Sequence, residues 1–309
     1  MEKALLFLAT EKGFRSLQNL IGSGQAGKIG CVVSFSEVNV RHDWSEDLRG
    51  LCGDNHIPFF LWKDVSQNLV SLIRDNGITS AFAISWKFLI PLEINRHLQT
   101  GLIVFHDSLL PKYRGFTPTV TAILSGDTEV GVTALFAVDE VDRGDIVLQR
   151  SLPVPKDMYM REIVSRQADL YADMLPELIS SLSEGKPLSS VPQSEQNATY
   201  SIWRGPEDYE IDWTLSSDQI FNAVRALGEP YLGAFTWIEN QKVIIDQAIP
   251  CQDLSFAIRQ PGKIWSISDN CPVVVCGSGM LKILSAHGES GEPFLFKKLR
   301  VRLGRNANP

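Results

Sequence analysis

The chain has 309 residues, a formal net charge of −7, and 44% hydrophobic and 21% charged residues. This balance is typical of a globular protein and excludes a disordered, collagen-like or coiled-coil chain. An acidic total argues against broad, sequence-independent binding of nucleic acid, and no apolar run approaches the roughly 20 residues that span a membrane. We therefore expect a cytoplasmic protein of about two domains, whose five cysteines are reduced and structural.

Short apolar runs alternate with helical periodicity through the first part of the chain. We predict strands at 3–9, 29–35, 57–62, 80–85 and 102–106, and helices at 13–21, 45–54 and 65–76. This alternation predicts a parallel sheet with helices on both faces. Ligands of such sheets usually bind beyond the carboxyl ends of the strands, where Ser85 and His106 stand.

The pattern changes after Pro111. A helix at 117–125, strands at 131–138 and 145–152 and a long helix at 157–185 precede a segment at 186–199 without periodicity. Short strand-like runs separated by turns follow at 235–237, 242–248, 262–267, 272–276, 280–287 and 299–303. We predict an α/β fold: a Rossmann-like, mostly parallel sheet with helices on both faces, followed by a small OB-like β-barrel domain. The predicted bounds are 1–190 for the first domain, 191–203 for a linker and 204–309 for the second domain.

Two stretches carry candidate chemistry. The first, at 105–115, reads FHDSLLPKYRG and places His106 at the end of a predicted strand. The second is an acidic loop with Asp139, Glu140, Asp142 and Asp145. A carboxylate beside an imidazole holds one tautomer and suits it to proton transfer. From the residues alone, a solvated hairpin turn is the favoured interpretation of the acidic loop.

The two stretches, together with the segment RGPEDYEIDW at 204–213, resemble the N10-formyltetrahydrofolate-dependent formyltransferases. The resemblance extends over nearly the whole chain. It implies transfer of a formyl group from N10-formyltetrahydrofolate, as cosubstrate, to a primary amine, with no metal. By motif match, His106 and Asp142 are the catalytic residues: His106 moves a proton or contacts the oxyanion, and Asp142 orients His106 and relays protons.

The resemblance also implies binding residues. The pterin-binding candidates come from the loop at 85–91 and from the acidic loop: Trp86, Lys87, Phe88, Leu89, Ile90, Asp139, Val141 and Asp142. The substrate-binding candidates follow His106: Ser108, Lys112, Tyr113 and Arg114. An arginine there suits bidentate contact with a diphosphate. The alternative for Lys112, Tyr113 and Arg114 is anchoring of the loop at Gly115.

One position departs from the family pattern. The family has an Asn two residues before the His, and this chain has Val104, which has no amide to donate. The loss of one oxyanion donor typically costs about 10²- to 10³-fold in rate. Three explanations stay open: another group such as Lys87, Ser85 or a water replaces the donor; the enzyme is slow or uses another acyl donor; or the chain is a catalytically impaired folate-binding relative.

The amine is predicted from charge. The segment at 36–49 contains Glu37, Asp43, Glu46 and Asp47 against Arg41 and Arg49, so it would repel a phosphate backbone. We therefore expect a small amine, in particular that of a nucleotide-linked amino sugar, and methionyl-tRNA is the alternative. No membrane partner is expected. The second domain lines the substrate cleft, mediates a homodimer contact or stabilises the fold, and the sequence does not decide among these.

Overall fold

The computed structural model describes residues 2–37 and 42–304. Arg41, which contributes to the charge argument above, lies outside these ranges. The chain divides into two compact units: the first comprises Met1–Pro118, Glu129–Pro153 and Val164–Ser201, and the second comprises Thr119–Thr128, Val154–Ile163 and Ile202–Pro309. The domain and linker bounds inferred from the sequence stay a prediction.

The first unit is built on a mostly parallel sheet. Its strands are β1 (Ala4–Leu8), β2 (Ile29–Ser34), β3 (Phe59–Leu61), β4 (Ser80–Ile84), β5 (Leu102–His106), β6 (Arg114–Gly115), β7 (Glu129–Phe136), β8 (Ile146–Pro153) and β9 (Tyr200–Ser201). Seven of them form one sheet in the order β3-β2-β1-β4-β5-β7-β8. The neighbours from β3 to β5 run parallel, whereas β7 and β8 are antiparallel. The two short strands β6 and β9 pair with each other.

The helices follow the predicted periodicity with one correction. They are α1 (Thr10–Gly22), α2 (Ser45–Asp54), α3 (Trp62–Val65), α4 (Leu69–Asp75), α5 (Pro118–Leu124), α6 (Met160–Ser183) and α7 (Ser217–Leu227). The single helix predicted at 65–76 is wrong, because α3 ends at Val65 and α4 begins at Leu69. Asn68 between them has φ −131° and ψ 28°, outside the helical region. Asparagine favours such positions because its side chain competes for backbone hydrogen bonds.

Two apolar clusters cover the two faces of the sheet, and β5 contributes to both. Ile103 and Phe105 pack into one cluster, together with residues of α1, α2 and α6. Leu102 and Val104 pack into the other, with residues of α4 and the segment after β4. Side chains alternate between faces along a strand. His106 therefore continues the face of Val104, and Asp107 continues the face of Phe105.

The second unit contains an antiparallel sheet and α7. Its strands are β10 (Phe235–Ile238), β11 (Gln241–Cys251), β12 (Ile264–Ser268), β13 (Cys271–Val275) and β14 (Met280–Gly288), in the order β10-β11-β14-β13-β12. The strand predicted at 299–303 is wrong: only Arg302 pairs, in an isolated bridge with Lys263. The pairing does not extend, because the Gly262 N–H, which would pair with Leu303, donates to the Val275 carbonyl instead. A mostly parallel sheet with helices followed by an antiparallel domain confirms the predicted fold class.

None of the helices in the described ranges is long and apolar enough to cross a membrane.

Candidate active site

His106 and Asp142 meet at the end of the central strands. His106 is the last residue of β5, and Asp142 lies in the loop between β7 and β8. His106 Nδ1 is 3.5 Å from Asp142 Oδ1, and the two side chains are 9% and 13% exposed. His106 pairs with Thr133, and the antiparallel β7 ends beside Ile103, so the loop after β7 turns back along β5 to bring Asp142 to His106. The imidazole and the carboxylate are therefore in direct contact and largely shielded from solvent.

The other ring nitrogen of His106 is committed to the backbone. His106 Nε2 lies 2.8 Å from the carbonyl oxygen of Tyr113. Because a carbonyl oxygen only accepts, Nε2 carries a proton and donates it. Tyr113 has φ +61°, a left-handed conformation that aims this carbonyl at the ring. The remaining nitrogen, Nδ1, faces Asp142, so the contact is attractive when a proton resides between them. The pair is thus arranged to hold a proton that a reaction can move.

Asp142 is held in an uncommon backbone conformation. Its φ is +58°, which costs a residue with a side chain on the order of 1 kcal/mol. Such a conformation persists where the surroundings over-determine it. Here the N–H of Gly115 donates to Asp142 Oδ2 at 2.9 Å, and Gln193 Nε2 donates to the Asp142 carbonyl at 2.8 Å. These two donors fix the direction of the carboxylate toward His106.

A buried ion pair occupies the opposite face of the same strand end. Lys12 Nζ contacts the two carboxylate oxygens of Asp107 at 2.7 and 2.6 Å, and the Tyr171 hydroxyl donates to Asp107 at 2.8 Å. Burial opposes the charge of Asp107, yet Lys12 and Tyr171 outweigh it and lower the pKa of Asp107. Burial and the neighbouring carboxylate of Asp107 raise the pKa of Tyr171 well above its usual value. Neither Lys12 nor Tyr171 is marked by any sequence signal.

An aromatic cluster follows the carboxyl end of β4. Ser85 turns the chain with φ +53°, and the ring of Trp86 then packs among four others: Phe7 at 5.1 Å, Phe35 at 5.1 Å, Trp62 at 5.3 Å and Phe88 at 5.9 Å between centroids. Trp86 Nε1 is buried and has no hydrogen-bond partner in the part of the chain that the structure describes. Lys87 Nζ lies 4.3 Å from the centroid of the Phe35 ring.

The predicted pterin-binding residues differ in exposure. Phe88 is 39% and Leu89 87% exposed, whereas Ile90 is 6% exposed and belongs to the core. Lys87, Asp139 and Val141 are exposed, and Trp86 is half-buried. The parallel register of β4 and β5, in which Ala83 pairs with Val104, places the carboxyl end of β4 beside that of β5. Val104 packs against the same apolar cluster as Trp86 and presents no polar group.

The predicted substrate-binding residues comprise one exposed, one half-buried and two buried side chains. Lys112 is exposed and Tyr113 half-buried. Ser108 is 3% exposed, and its hydroxyl donates to the carbonyl of Lys112 at 2.6 Å. Arg114 is 1% exposed. Hydrogen bonding to Glu195 raises the pKa of Arg114. These contacts within the protein favour loop anchoring by Ser108 and Arg114, and their assignment as substrate contacts stays a prediction.

Residues of the predicted linker take part in the site, which the sequence analysis missed. Gln193 accepts from Arg114 Nε and Nη2 at 3.1 and 2.9 Å, and Glu195 accepts from Nη1 and Nη2 at 3.0 and 2.8 Å. Thr199 Oγ1 accepts from the N–H of Tyr113 at 2.9 Å. The segment has a polar composition without periodicity. Its sequence therefore does not distinguish a segment that packs against the site from a linker. Within the described ranges, no group of three or more His, Cys, Asp or Glu is placed to hold a metal ion.

Comparison with known proteins identifies the family. Residues 63–179 match the family model "Formyl transferase", and residues 205–298 match "Formyl transferase, C-terminal domain". Among solved structures, an N-formyltransferase from Helicobacter canadensis, in complex with folinic acid and dTDP-3-aminofucose, is 17% identical, with a TM-score of 0.68 over 95% of this chain and 100% of that one. A methionyl-tRNA formyltransferase from Clostridium thermocellum is 19% identical, with a TM-score of 0.58 over 81% of this chain and 93% of that one.

A third structure is much longer than this chain. HypX from Aquifex aeolicus is 18% identical, with a TM-score of 0.62, and the match covers 96% of this chain but 46% of that one. At these identities the structural likenesses show a shared fold. The two family models, in contrast, together span more than half of the chain, and the chain belongs to the formyl transferase family.

Proposed function

We propose that this protein transfers a formyl group from N10-formyltetrahydrofolate to a primary amine, and that the amine belongs to a nucleotide-linked amino sugar. The observation that carries the proposal is the contact of 3.5 Å between His106 and Asp142 at the carboxyl end of the sheet. It lies in the segment that matches the formyl transferase family model. The pair supplies proton transfer, which formyl transfer between two nitrogens requires.

The reaction moves one proton as well as one acyl group. The amine nitrogen forms a bond to the formyl carbon, the bond from that carbon to N10 breaks, and a proton leaves the amine and arrives at N10. The His106–Asp142 pair takes up and returns that proton. The commitment of Nε2 to the Tyr113 carbonyl at 2.8 Å leaves Nδ1 as the exchanging position. Asp142 keeps the imidazole oriented and stabilises its charged form.

The aromatic cluster supports binding of the pterin. A flat heteroaromatic ring packs well against exposed aromatic and aliphatic side chains, and Phe88 and Leu89 supply these. The buried N–H of Trp86, which has no partner among the described residues, fits a site completed by a polar ligand. N10-formyltetrahydrofolate supplies the activated formyl group, and these residues hold and orient it.

Charge favours a small amine over a transfer RNA. Asp43, Glu46 and Asp47 make the start of α2 acidic, which disfavours a phosphate backbone. Two of the basic side chains near the C-terminus have partners in their own unit: Lys298 pairs with Glu239, and Arg302 donates to the Pro261 carbonyl. The Helicobacter structure with a dTDP-linked amino sugar supports the same choice. Methionyl-tRNA remains the second candidate, because the Clostridium enzyme shares the fold.

The test is an assay of the purified protein with N10-formyltetrahydrofolate and a panel of amines that contains nucleotide-linked amino sugars and methionyl-tRNA. We expect turnover with an amino sugar, and a fall in kcat of about 10²- to 10⁴-fold in His106→Ala, the range of general acid–base catalysis. His97→Ala, which removes an exposed histidine outside the site, is the matched control with normal turnover.

Folate binding separates the alternatives. If the protein binds the folate but formylates no amine, Val104 marks a binding-only relative and the proposed transfer is wrong. If methionyl-tRNA is the preferred acceptor, the choice of amine is wrong and the chemistry stands. Equal turnover of His106→Ala and the parent protein would remove His106 from the mechanism.

A further inference from the structure

The segment 191–201 joins the two loops that carry the catalytic pair. It begins with a bridge between Val191 and Ile146, which starts β8, and it ends in β9, which pairs with β6. Gln193 lies between these two anchors and contacts residues of both loops. We propose that Gln193 is a positioning residue that sets the geometry of the His106–Asp142 pair. This inference rests on the proposed function, because it concerns how the same site is held.

The side-chain amide of Gln193 has two ends with different tasks. Its Nε2 donates to the carbonyls of Asp142 and Gly144, both at 2.8 Å. Its Oε1 accepts from Nε and Nη2 of Arg114 at 3.1 and 2.9 Å. One amide thus satisfies two acceptors in the Asp142 loop and one cation in the loop after His106. No other side-chain type of this length supplies both a double donor and an acceptor.

The Arg114 end of the connection reaches the imidazole through the backbone. Arg114 directly follows Tyr113, whose carbonyl accepts from His106 Nε2. The Arg114 N–H donates to the Thr199 carbonyl at 2.9 Å, so the segment 191–201 also holds the backbone at Arg114. A shift of the Arg114 guanidinium therefore moves the carbonyl that fixes the tautomer of His106. At the other end, Gln193 Nε2 donates to the Asp142 carbonyl. This hydrogen bond helps to hold the left-handed backbone of Asp142 and so directs its carboxylate.

The consequence of losing this connection is a misplaced pair rather than an unfolded unit. A displacement of about 1 Å in a catalytic group costs on the order of 10²-fold in rate. The core of the first unit does not depend on Gln193, which is half-exposed at the surface of the sheet's edge loops. Loss of the Nε2 donors alone is therefore expected to reduce kcat while binding of the folate persists.

Gln193→Glu tests this directly. The substitution keeps an acceptor for Arg114 and replaces the donor by an oxygen that repels the carbonyls of Asp142 and Gly144. We expect kcat to fall about 10- to 100-fold, the KM for the formyl donor to change less than about threefold, and the pH profile of kcat to shift. Gln196→Glu introduces the same charge at an exposed position three residues later, and it keeps the parent values.

A second variant and a second readout keep the outcome decisive. Gln193→Asn retains an amide that is one methylene too short to reach both loops, and it is used if Gln193→Glu unfolds. The ring of His106 faces Asp142, with the charges of Asp107 and Lys12 beyond the strand end, and none of these groups is altered. Nitrogen NMR of the His106 ring then reports its titration without any need for turnover, and we expect its midpoint to move in both Gln193 variants.

The two proposals fail separately. An unchanged kcat and an unchanged ring titration in folded Gln193 variants would overturn the positioning role. Absence of formyl transfer by the parent protein would overturn the proposed function instead, and the ring titration alone would then decide whether Gln193 sets the pair.

Discussion

At the residue scale, the largely buried ion pair of Lys12 and Asp107 contributes to stability next to the site. Lys12 is 11% exposed and Asp107 28%. Removal of one partner leaves a buried charge uncompensated, which costs about 3 kcal/mol. We expect Asp107→Asn to lower the free energy of unfolding by about this amount at pH 7, measured by urea denaturation. Because Asp107 lies on the face opposite to Val104, the loss is in stability first.

The pH dependence of this pair has a definite sign. The pKa of Asp107 is lowered in the folded protein by Lys12 and Tyr171, which outweigh the effect of burial. Its contribution is therefore present above the unfolded pKa, about 3.9, and is lost as the pH falls through the lower folded value. The difference between the parent and Asp107→Asn should shrink below about pH 4. The double variant with Lys12→Met should cost less than the sum of the single changes, and strict additivity would contradict the pairing.

Some residues of the site can be identified from a short sequence motif, whereas others are recognised only in the three-dimensional structure. His106 and Asp142 follow from the resemblance, because a strand end and a hairpin loop are local features that a short motif marks. Gln193 and Tyr171 contact the site from 87 and 64 positions beyond His106 and Asp107, so no local pattern points to them. The residue type of Arg114 suits a diphosphate, whereas its burial against Gln193 and Glu195, which favours an anchoring role, is a tertiary property that the sequence does not show.

Among the elements, the β6–β9 pair has a close backbone approach at Gly115, next to the Asp142 carboxylate. A Cβ at Gly115 would stand 2.4 Å from the Ser201 carbonyl oxygen, and Gly115 has φ +102°. Gly115→Ala must therefore push β6 away from β9. This movement displaces the Gly115 N–H, which donates a hydrogen bond to the Asp142 carboxylate. We expect a backbone strain of about 1–3 kcal/mol and a fall in formyl transfer of at least about tenfold, measured by thermal unfolding and the transfer assay.

Gly53→Ala is the matched control for this change. Gly53 lies in α2, and a Cβ there meets nothing within 4 Å. Alanine in a helix gains about 0.5–1 kcal/mol over glycine, so this variant should be as stable as the parent or more so, with unchanged turnover. Normal activity in Gly115→Ala would mean that β6 and β9 do not hold Asp142.

The elements themselves were largely predictable where apolar periodicity is strong. The buried strands β1, β2, β4 and β5 read as continuous apolar runs, as expected for strands covered on both faces. The predicted elements are wrong where a few residues interrupt the regular pattern. Asn68 divides one predicted helix into α3 and α4, and the Gly262 N–H pairs with Val275 rather than with the segment around Arg302.

For the whole molecule, the order β3-β2-β1-β4-β5-β7-β8 explains why a site forms at one edge. The chain proceeds outward from β1 to β3 and then returns to the other side through β4, so loops diverge beyond β1 and β4 and leave a crevice at their carboxyl ends. The aromatic residues after β4 and the histidine at the end of β5 both face this edge. Alternation of strands and helices predicts such a sheet, but not the antiparallel addition of β7, after which the loop must turn back to bring Asp142 to His106.

The cysteines provide a test of packing in both units. Cys31, Cys52 and Cys276 are each 0% exposed, and burial raises the pKa of each to about 12. Thiolate is the reactive form, so at pH 8 these three should not react with a thiol reagent while the chain is folded. Cys251 and Cys271 are half-buried. We expect at most two of the five thiols to react rapidly in the folded protein, and all five to react after denaturation. The reaction is followed by the absorbance of the coloured thiolate that a chromogenic disulfide reagent releases.

Replacement of the two half-buried cysteines sharpens this measurement. In the double variant Cys251→Ser with Cys271→Ser, rapid labelling should disappear, and the remaining thiols then react only through opening of the structure. Cys31 and Cys52 report on the first unit, and Cys276 reports on the second. Comparison of their labelling rates in rising urea therefore measures the stability of each unit by its own probe. Rapid reaction of any of the three in the absence of urea would contradict the close packing of β2 and α2 or of the chain after β13.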